Sequence, residues 1–390
     1  MAVFLRLKTP IGPSILAAGA LIWLFISRDA DDLVFAVQSA FTSQRSWDLL
    51  AALYFVVCLE IELRKSGTLS GMVGFLGRVL PSKKAAMSIM PAFLGLLPSV
   101  GGARFSAPIV AAIAKGDDIP KETLAGVNFW FRHIFEVSSP IVPGMILGCA
   151  IAGVSIASVI VHLAWTSAAC FIFGWLILFR RTGPLKAPAS ESAQKGTLLD
   201  FVLAVSPVAA VFALTIAFDL ASGAAMGITA LAMIPVLYAL KRPVALKEIF
   251  IGACEWKLFR DVGSILLFIG ILSATGALSE VVSAFQSSGL PIPAVIAGIA
   301  FVVGMLTGMS QGHVSIVMPI VAALAPGSVD LAGIALVFGM GGQMVTPTHV
   351  CLMVTLDYFK ADFFKTLLPC AAAEACVLAL FVLISYFSWG

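Results

Sequence analysis

Two stretches of the sequence repeat one another. Leu97 to Ala114 (LPSVGGARFSAPIVAAIA) and Gly308 to Ala325 (GMSQGHVSIVMPIVAALA) share the run PIVAA, and laying Pro108 over Pro319 sets Gly101 against Gly312. Each begins apolar, breaks at a Gly/Ser-rich bend and resumes as an apolar run too short to cross a bilayer alone. A backbone that turns inside hydrocarbon leaves N–H and C=O groups unpaired, so such a bend survives only where it lines a polar cavity. The pair predicts two re-entrant hairpins, about 85–115 and 291–326, with tips meeting near the middle of a membrane, one from each half of an internally repeated chain.

Composition agrees. Of 390 residues, 60% are hydrophobic and 12% charged, and the mean hydropathy is +1.04, a balance no soluble domain shows. With about twenty apolar residues per crossing, the chain divides into about nine transmembrane helices plus the two hairpins, an all-α membrane protein built as an inverted repeat. The first half covers 1–180, a linker 181–197, and the second half 198–390. The basic, apolar start resembles a signal peptide but has no small-x-small cleavage site before SRDADD, so a retained first helix is expected. Broken helices are expected at 123–150, interrupted by Ser138-Ser139-Pro140 and Pro143-Gly144, and at 330–356, interrupted at Thr346-Pro347, because proline removes a backbone donor and crowds the preceding turn.

Charge placement sets the orientation. Of 24 Lys and Arg residues, Arg28 and Arg45 fall on one side, Arg104 and Arg132 inside the membrane, and the rest on the side of the N-terminus. That side is cytoplasmic, which puts the C-terminus outside an inner (plasma) membrane and gives the two hairpins opposite entry. The seven cysteines are scattered without CxxC spacing and read as packing side chains.

Buried ionisable groups cost roughly 2.5 to 3.5 kcal/mol each on insertion scales, so they are the first candidates for function. Arg104 opens the second limb of hairpin one, beside Ser99, Gly101, Gly102 and Ser106 at the tip. A helix N-terminus there offers free N–H groups to an anion and a guanidinium adds a bidentate carboxylate clamp, or else Arg104 pairs with Glu136 and locks the tip. Arg132 and Glu136 are four apart on one helical face, either an internal salt bridge or a substrate charge beside a cation-coupling carboxylate, with Ser138 and Ser139 following. His133 reads as packing. In the second half Ser310, Gln311, Gly312 and His313 form the tip, and Gln343, Thr346, Thr348 and His349 surround the break, a set without a carboxylate. It suits a neutral hydroxyl-bearing part of a substrate, sodium, or satisfaction of the broken backbone. His162 and Glu374, each alone on a crossing, read as interhelical partners or proton relays.

No phosphate loop, metal spacing, nucleophile elbow or large soluble domain appears, which excludes ATP-driven transport and points to no enzyme and no nucleic-acid partner. The bends and spans resemble the ion transporter superfamily of gluconate permeases, divalent-anion/sodium symporters and citrate transporters. Within it, KSGTLSGMVGFLGRVLP and GLLPSVGGARFSAPIVAAIAKG are most similar to a prokaryotic integral-membrane family, domain of unknown function 401. The resemblance implies a homodimer whose protomers each have a scaffold part and a transport part, with tips and broken helices holding substrate and coupling ion. Gly341-Gly342…Thr346-Pro347 and Ser139-Pro140 match the breaks of that superfamily. Where its sodium-coupled dicarboxylate members carry Ser-Asn-Thr at each tip, this chain has Ser99-Val100-Gly101 and Ser310-Gln311-Gly312. The expectation is a secondary transporter of a small organic anion, a mono- or hydroxycarboxylate, by proton- or sodium-coupled symport with alternating access and no cofactor. The alternative is a sodium/proton antiporter using Glu136 with His133.

Overall fold

The computed structural model describes residues 11–389 except 81, 97–102, 181, 184, 186–195, 219 and 288, and gives the backbone alone at 11, 104, 105, 285 and 286. Among the described residues every element is an α-helix. Helices α1 (Ile11–Ile26) and α2 (Ala30–Thr42) come first. Then follow α3 (Gln44–Lys65), α4 (Thr68–Val79), α5 (Lys83–Gly95), α6 (Ala103–Ala114), α7 (Lys121–Arg132), α8 (Pro143–Ala152) and α9 (Ile156–Leu178). Helices α10 (Leu198–Ala217), α11 (Ser222–Ala239) and α12 (Leu246–Gly252) stand between this series and the next. The last series is α13 (Trp256–Ala274), α14 (Ala277–Ser287), α15 (Ile292–Thr307), α16 (Ser310–Leu324), α17 (Val329–Met344), α18 (Val350–Phe359) and α19 (Phe363–Ser388). Both series run long helix, short helix, two limbs, helix, interruption, half-helix, long helix.

Helices α9, α10, α11 and α19 are each long and apolar enough to cross a bilayer alone, and α12–α13 with α14 form a further apolar unit bent by 72°. Six more apolar helices, α1, α8, α15, α16, α17 and α18, have only 10–17 residues, lengths that fit part of a membrane. Large apolar side chains face outward, among them Val161, Phe364, Leu368 and Tyr386, each at least 70% exposed. A surface of that kind is stable against lipid and not against water. The chain is a multi-pass membrane protein.

One helix departs from the sequence reading. No element was expected between the first two crossings, yet α2 lies there and packs on α13. Its start is set by Asp29, whose carboxylate accepts from Asp31 N at 3.0 Å, with Asp31 and Asp32 in the first turn where the helix dipole favours negative charge. The Trp23 and Trp47 indoles donate to the Asp29 and Phe41 carbonyls at 2.6 and 2.8 Å and pin its two ends. The segment 245–259 is split between two helices, α12 stopping at Gly252 and α13 starting at Trp256.

Both expected interruptions fall inside apolar segments. Helix α7 stops at Arg132, residues 133–142 form turns, and Pro143 starts α8 at a position where its missing N–H costs nothing. Helix α17 stops at Met344, and the chain passes Thr346-Pro347 before His349 caps α18. The limb α6 packs on α7 and on α18, while α16 packs on α17 and on α8. Each second limb thus rests on the half-helix that follows the interruption in the other series. Helices α15 and α17 approach so closely that a Cβ at Gly304 would stand 2.1 Å from the Gly339 carbonyl oxygen, and one at Gly342 2.0 Å from that of Phe301. Small residues at such a crossing are how membrane helices gain packing where lipid supplies no hydrophobic drive.

Candidate functional site

The two interruptions meet. His133, at the end of α7, and His349, at the start of α18, place their Nε2 atoms 3.1 Å apart, both rings buried. His133 Nδ1 lies 2.7 Å from the Phe129 carbonyl oxygen, one turn back on its own helix, and His349 Nδ1 lies 3.0 Å from the Gln343 carbonyl oxygen. The Phe129 ring stands 5.1 Å from each imidazole and closes the pair on its apolar side. His133 is therefore more than the packing residue expected of it.

Arg132 is 6% exposed and donates to the Leu94 carbonyl on α5 at 3.2 Å. Its guanidinium also reaches the Cys351 sulfur and lies near Glu136. Arg132 and Glu136 do not share a continuous helical face as expected, because the helix ends at Arg132 and Glu136 belongs to the turn. Glu136 is half-buried and is an electrostatic neighbour of Arg132, His313 and His349. His133, His349 and Cys351 put ring nitrogens and sulfur within 4.8 Å of one another. The Arg132 guanidinium engages that sulfur and the two imidazoles engage each other, so the cluster reads as a hydrogen-bonded group.

Around it lie polar atoms that the protein leaves unpaired. Neither amide atom of Gln343 has a partner among the described residues, and the same holds for Ser139 Oγ and Ser106 Oγ. All three residues are buried, and the buried His313 ring beside them faces the Met309 backbone of its own first turn. Unpaired buried polar groups are rare enough to mark function or strain. Thr346 Oγ1 donates to the Met305 carbonyl at 2.7 Å and Thr348 Oγ1 to the same oxygen at 3.1 Å, so these hydroxyls tie the interruption to the end of α15. Ser310 opens α16 with its side chain against Gly144, and Gln311 and Gly312 follow in the same turn. Ser138 is hydrogen-bonded to Ser167 on α9 at 2.5 Å. Ser99, Gly101 and Gly102 lie outside the described residues, as does the Arg104 side chain, whose backbone is in the first turn of α6.

The structure thus gathers Arg132, Glu136, His313, Gln343, Thr346, Thr348 and His349 at the meeting of the interruptions, and draws Ser138 away to α9. Cys351 is the addition, and His133, expected as packing or as the companion of Glu136 in an antiporter, joins it. No local motif marks the imidazole pair, since its members are 216 positions apart. Elsewhere, His162 Nε2 meets Asp330 at 2.9 Å and its ring stacks on Trp389, which suits an interhelical partner. Glu374 is buried against Gly341 with Oε2 unpaired among the described residues.

A crystal structure of the Alcanivorax borkumensis YdaH transporter, described as having an unusual topology, is similar in fold, with a TM-score of 0.65, 12% identity and 97% of each chain covered. No curated protein matches the sequence. Residues 2–387 match the family described as protein of unknown function DUF401, and on that match over nearly its whole length the chain belongs to this family.

Proposed function

We propose that the chain is a secondary active transporter that moves a small organic anion, a mono- or hydroxycarboxylate, by proton- or sodium-coupled symport with alternating access. The observation that carries this reading is the junction of two helix interruptions, with the buried Arg132 beside it and the buried His313 and unpaired Gln343 around it. Polar backbone inside an apolar segment is tolerated where it is buried in protein or lines a path for solute. A buried guanidinium among half-helix ends favours a carboxylate, and the hydroxyls and amides of 343–348 suit a hydroxyl-bearing solute or sodium. The shared element order of 44–178 and 256–388 supports an internal repeat, which in this reading is inverted with the hairpins entering from opposite sides. The similarity to a protein described as a transporter supports the same reading. In this scheme anion and cation bind together, their charges offset, and the neutral load lowers the cost of moving the transport part through the bilayer. A homodimer in the plasma membrane, N-terminus inside, completes it.

The test is uptake of radiolabelled lactate and gluconate into proteoliposomes under inward proton or sodium gradients, with Arg104→Ala and Arg132→Ala variants. Uptake above empty liposomes that falls roughly tenfold or more in a variant with unchanged melting temperature is the expected result, equivalent to about 1.4 kcal/mol of lost binding. Sodium flux driven by a pH gradient with no organic solute, abolished in Glu136→Gln, would establish the antiporter instead.

A further inference from the structure

Three ring-nitrogen contacts define the imidazole pair, and two neutral rings do not hold enough protons to make them. The Phe129 and Gln343 carbonyls only accept, so each Nδ1 facing them carries its proton. The two Nε2 atoms are then both lone pairs, facing each other at 3.1 Å. Moving a proton from Nδ1 to Nε2 of one ring repairs that contact and leaves a ring acceptor against a carbonyl. Satisfying all three requires one proton more than two neutral imidazoles possess. We infer that His133 and His349 form a one-proton site in which an imidazolium and an imidazole share a proton between their Nε2 atoms, and that this site carries the coupling ion of the transport proposed above, on which reading the second part rests.

The surroundings fit a site that both takes and gives up the proton. Arg132, from the same segment, neighbours both rings, and Glu136, of opposite charge, neighbours His349. Helix α18 brings Cys351, and α16 brings His313, which neighbours Glu136. On α9 and α17, His162 and Asp330 engage each other, and α19 places Glu374 against Gly341 of α17. Helix α5 contributes the Leu94 carbonyl to Arg132, and α6 carries Arg104. The pair also bridges the two interruptions, so the proton binds them together. When the proton leaves, two lone pairs face each other in a dry site and the interruptions are released. Proton loss and movement of the two series are in this way one event.

The chain has four histidines, so ring-labelled ¹⁵N spectra of the whole protein in lipid nanodiscs are tractable. Between about pH 5 and 8, the range in which imidazoles titrate, two rings should show a nitrogen–nitrogen coupling across a shared proton at the acid end and convert together to single-proton rings at the alkaline end. His349→Gln, whose amide can donate to His133 Nε2 without taking a proton, should keep the melting temperature and lose the coupling. Two rings that stay singly protonated down to about pH 5 overturn the inference, as does zinc stabilising the wild type with loss of the acid signal. In proteoliposomes, one proton per solute makes one pH unit worth an accumulation ratio of about ten for lactate or gluconate, and in His349→Gln this gradient response should fall to about one. A variant that keeps it refutes the coupling role. A wild type that moves neither probe refutes the transport reading, whatever the spectra show.

Discussion

Gly339 leaves no room beside the His313 ring: a Cβ there would stand 2.1 Å from Cδ2. A Gly339→Ala variant must push the imidazole out of its place, and overpacking of this kind costs about 1 to 3 kcal/mol. A fall in melting temperature in detergent is expected, while Gly263→Ala on α13, which meets nothing within 4 Å, should be neutral or slightly stabilising through better helix propensity. Equal melting temperatures for the two would show that His313 is not held in this position. At this scale the sequence is a partial guide. Arg132 and His349 stand out as polar residues in apolar segments, because burying such groups is costly wherever the chain folds. His133 does not stand out as a partner, because what makes it one is a carbonyl one turn back and a ring brought in from the other end of the chain.

Between α15 and α17 the contact is backbone on backbone, so its cost can be read helix by helix. Valine at Gly304 would set Cβ 2.1 Å from a carbonyl oxygen that cannot swing aside, and the helices must part. On the same helix Gly298 is exposed and a Cβ there meets nothing within 4 Å. Gly304→Val is expected to lose on the order of 3 kcal/mol or more and most of the monodisperse protein on gel filtration, and Gly298→Val to purify like the parent. Equal yields would mean that the crossing is not as close as described. Which elements exist was largely readable from the sequence. Both interruptions fall at Pro-containing bends because proline removes the donor a continuous helix needs. Helix α2 is hard to read in the sequence because its cap and first turn, Asp29, Asp31 and Asp32, form a charged cluster between apolar runs. Which faces of α15 and α17 touch depends on long-range packing that no local pattern encodes.

For the whole molecule, membrane character is set by composition, whereas sidedness rests on the distribution of Lys and Arg. The segment 245–260 carries this argument, because Lys247, Lys257 and Arg260 gather there and Cys254 lies exposed among them. If the positive-inside arrangement holds, that segment faces the cytoplasm. A membrane-impermeant maleimide should then label Cys254 in inverted vesicles and not in intact cells. Cys58, Cys149, Cys170 and Cys370 are buried, so a Cys254→Ser variant isolates the residual signal of Cys351 and Cys376. Labelling of Cys254 from outside intact cells would reverse the orientation. The His133–His349 contact would survive that reversal, since it depends on packing alone. What would change is the face on which the proton is taken up, and therefore the direction in which a given gradient drives solute.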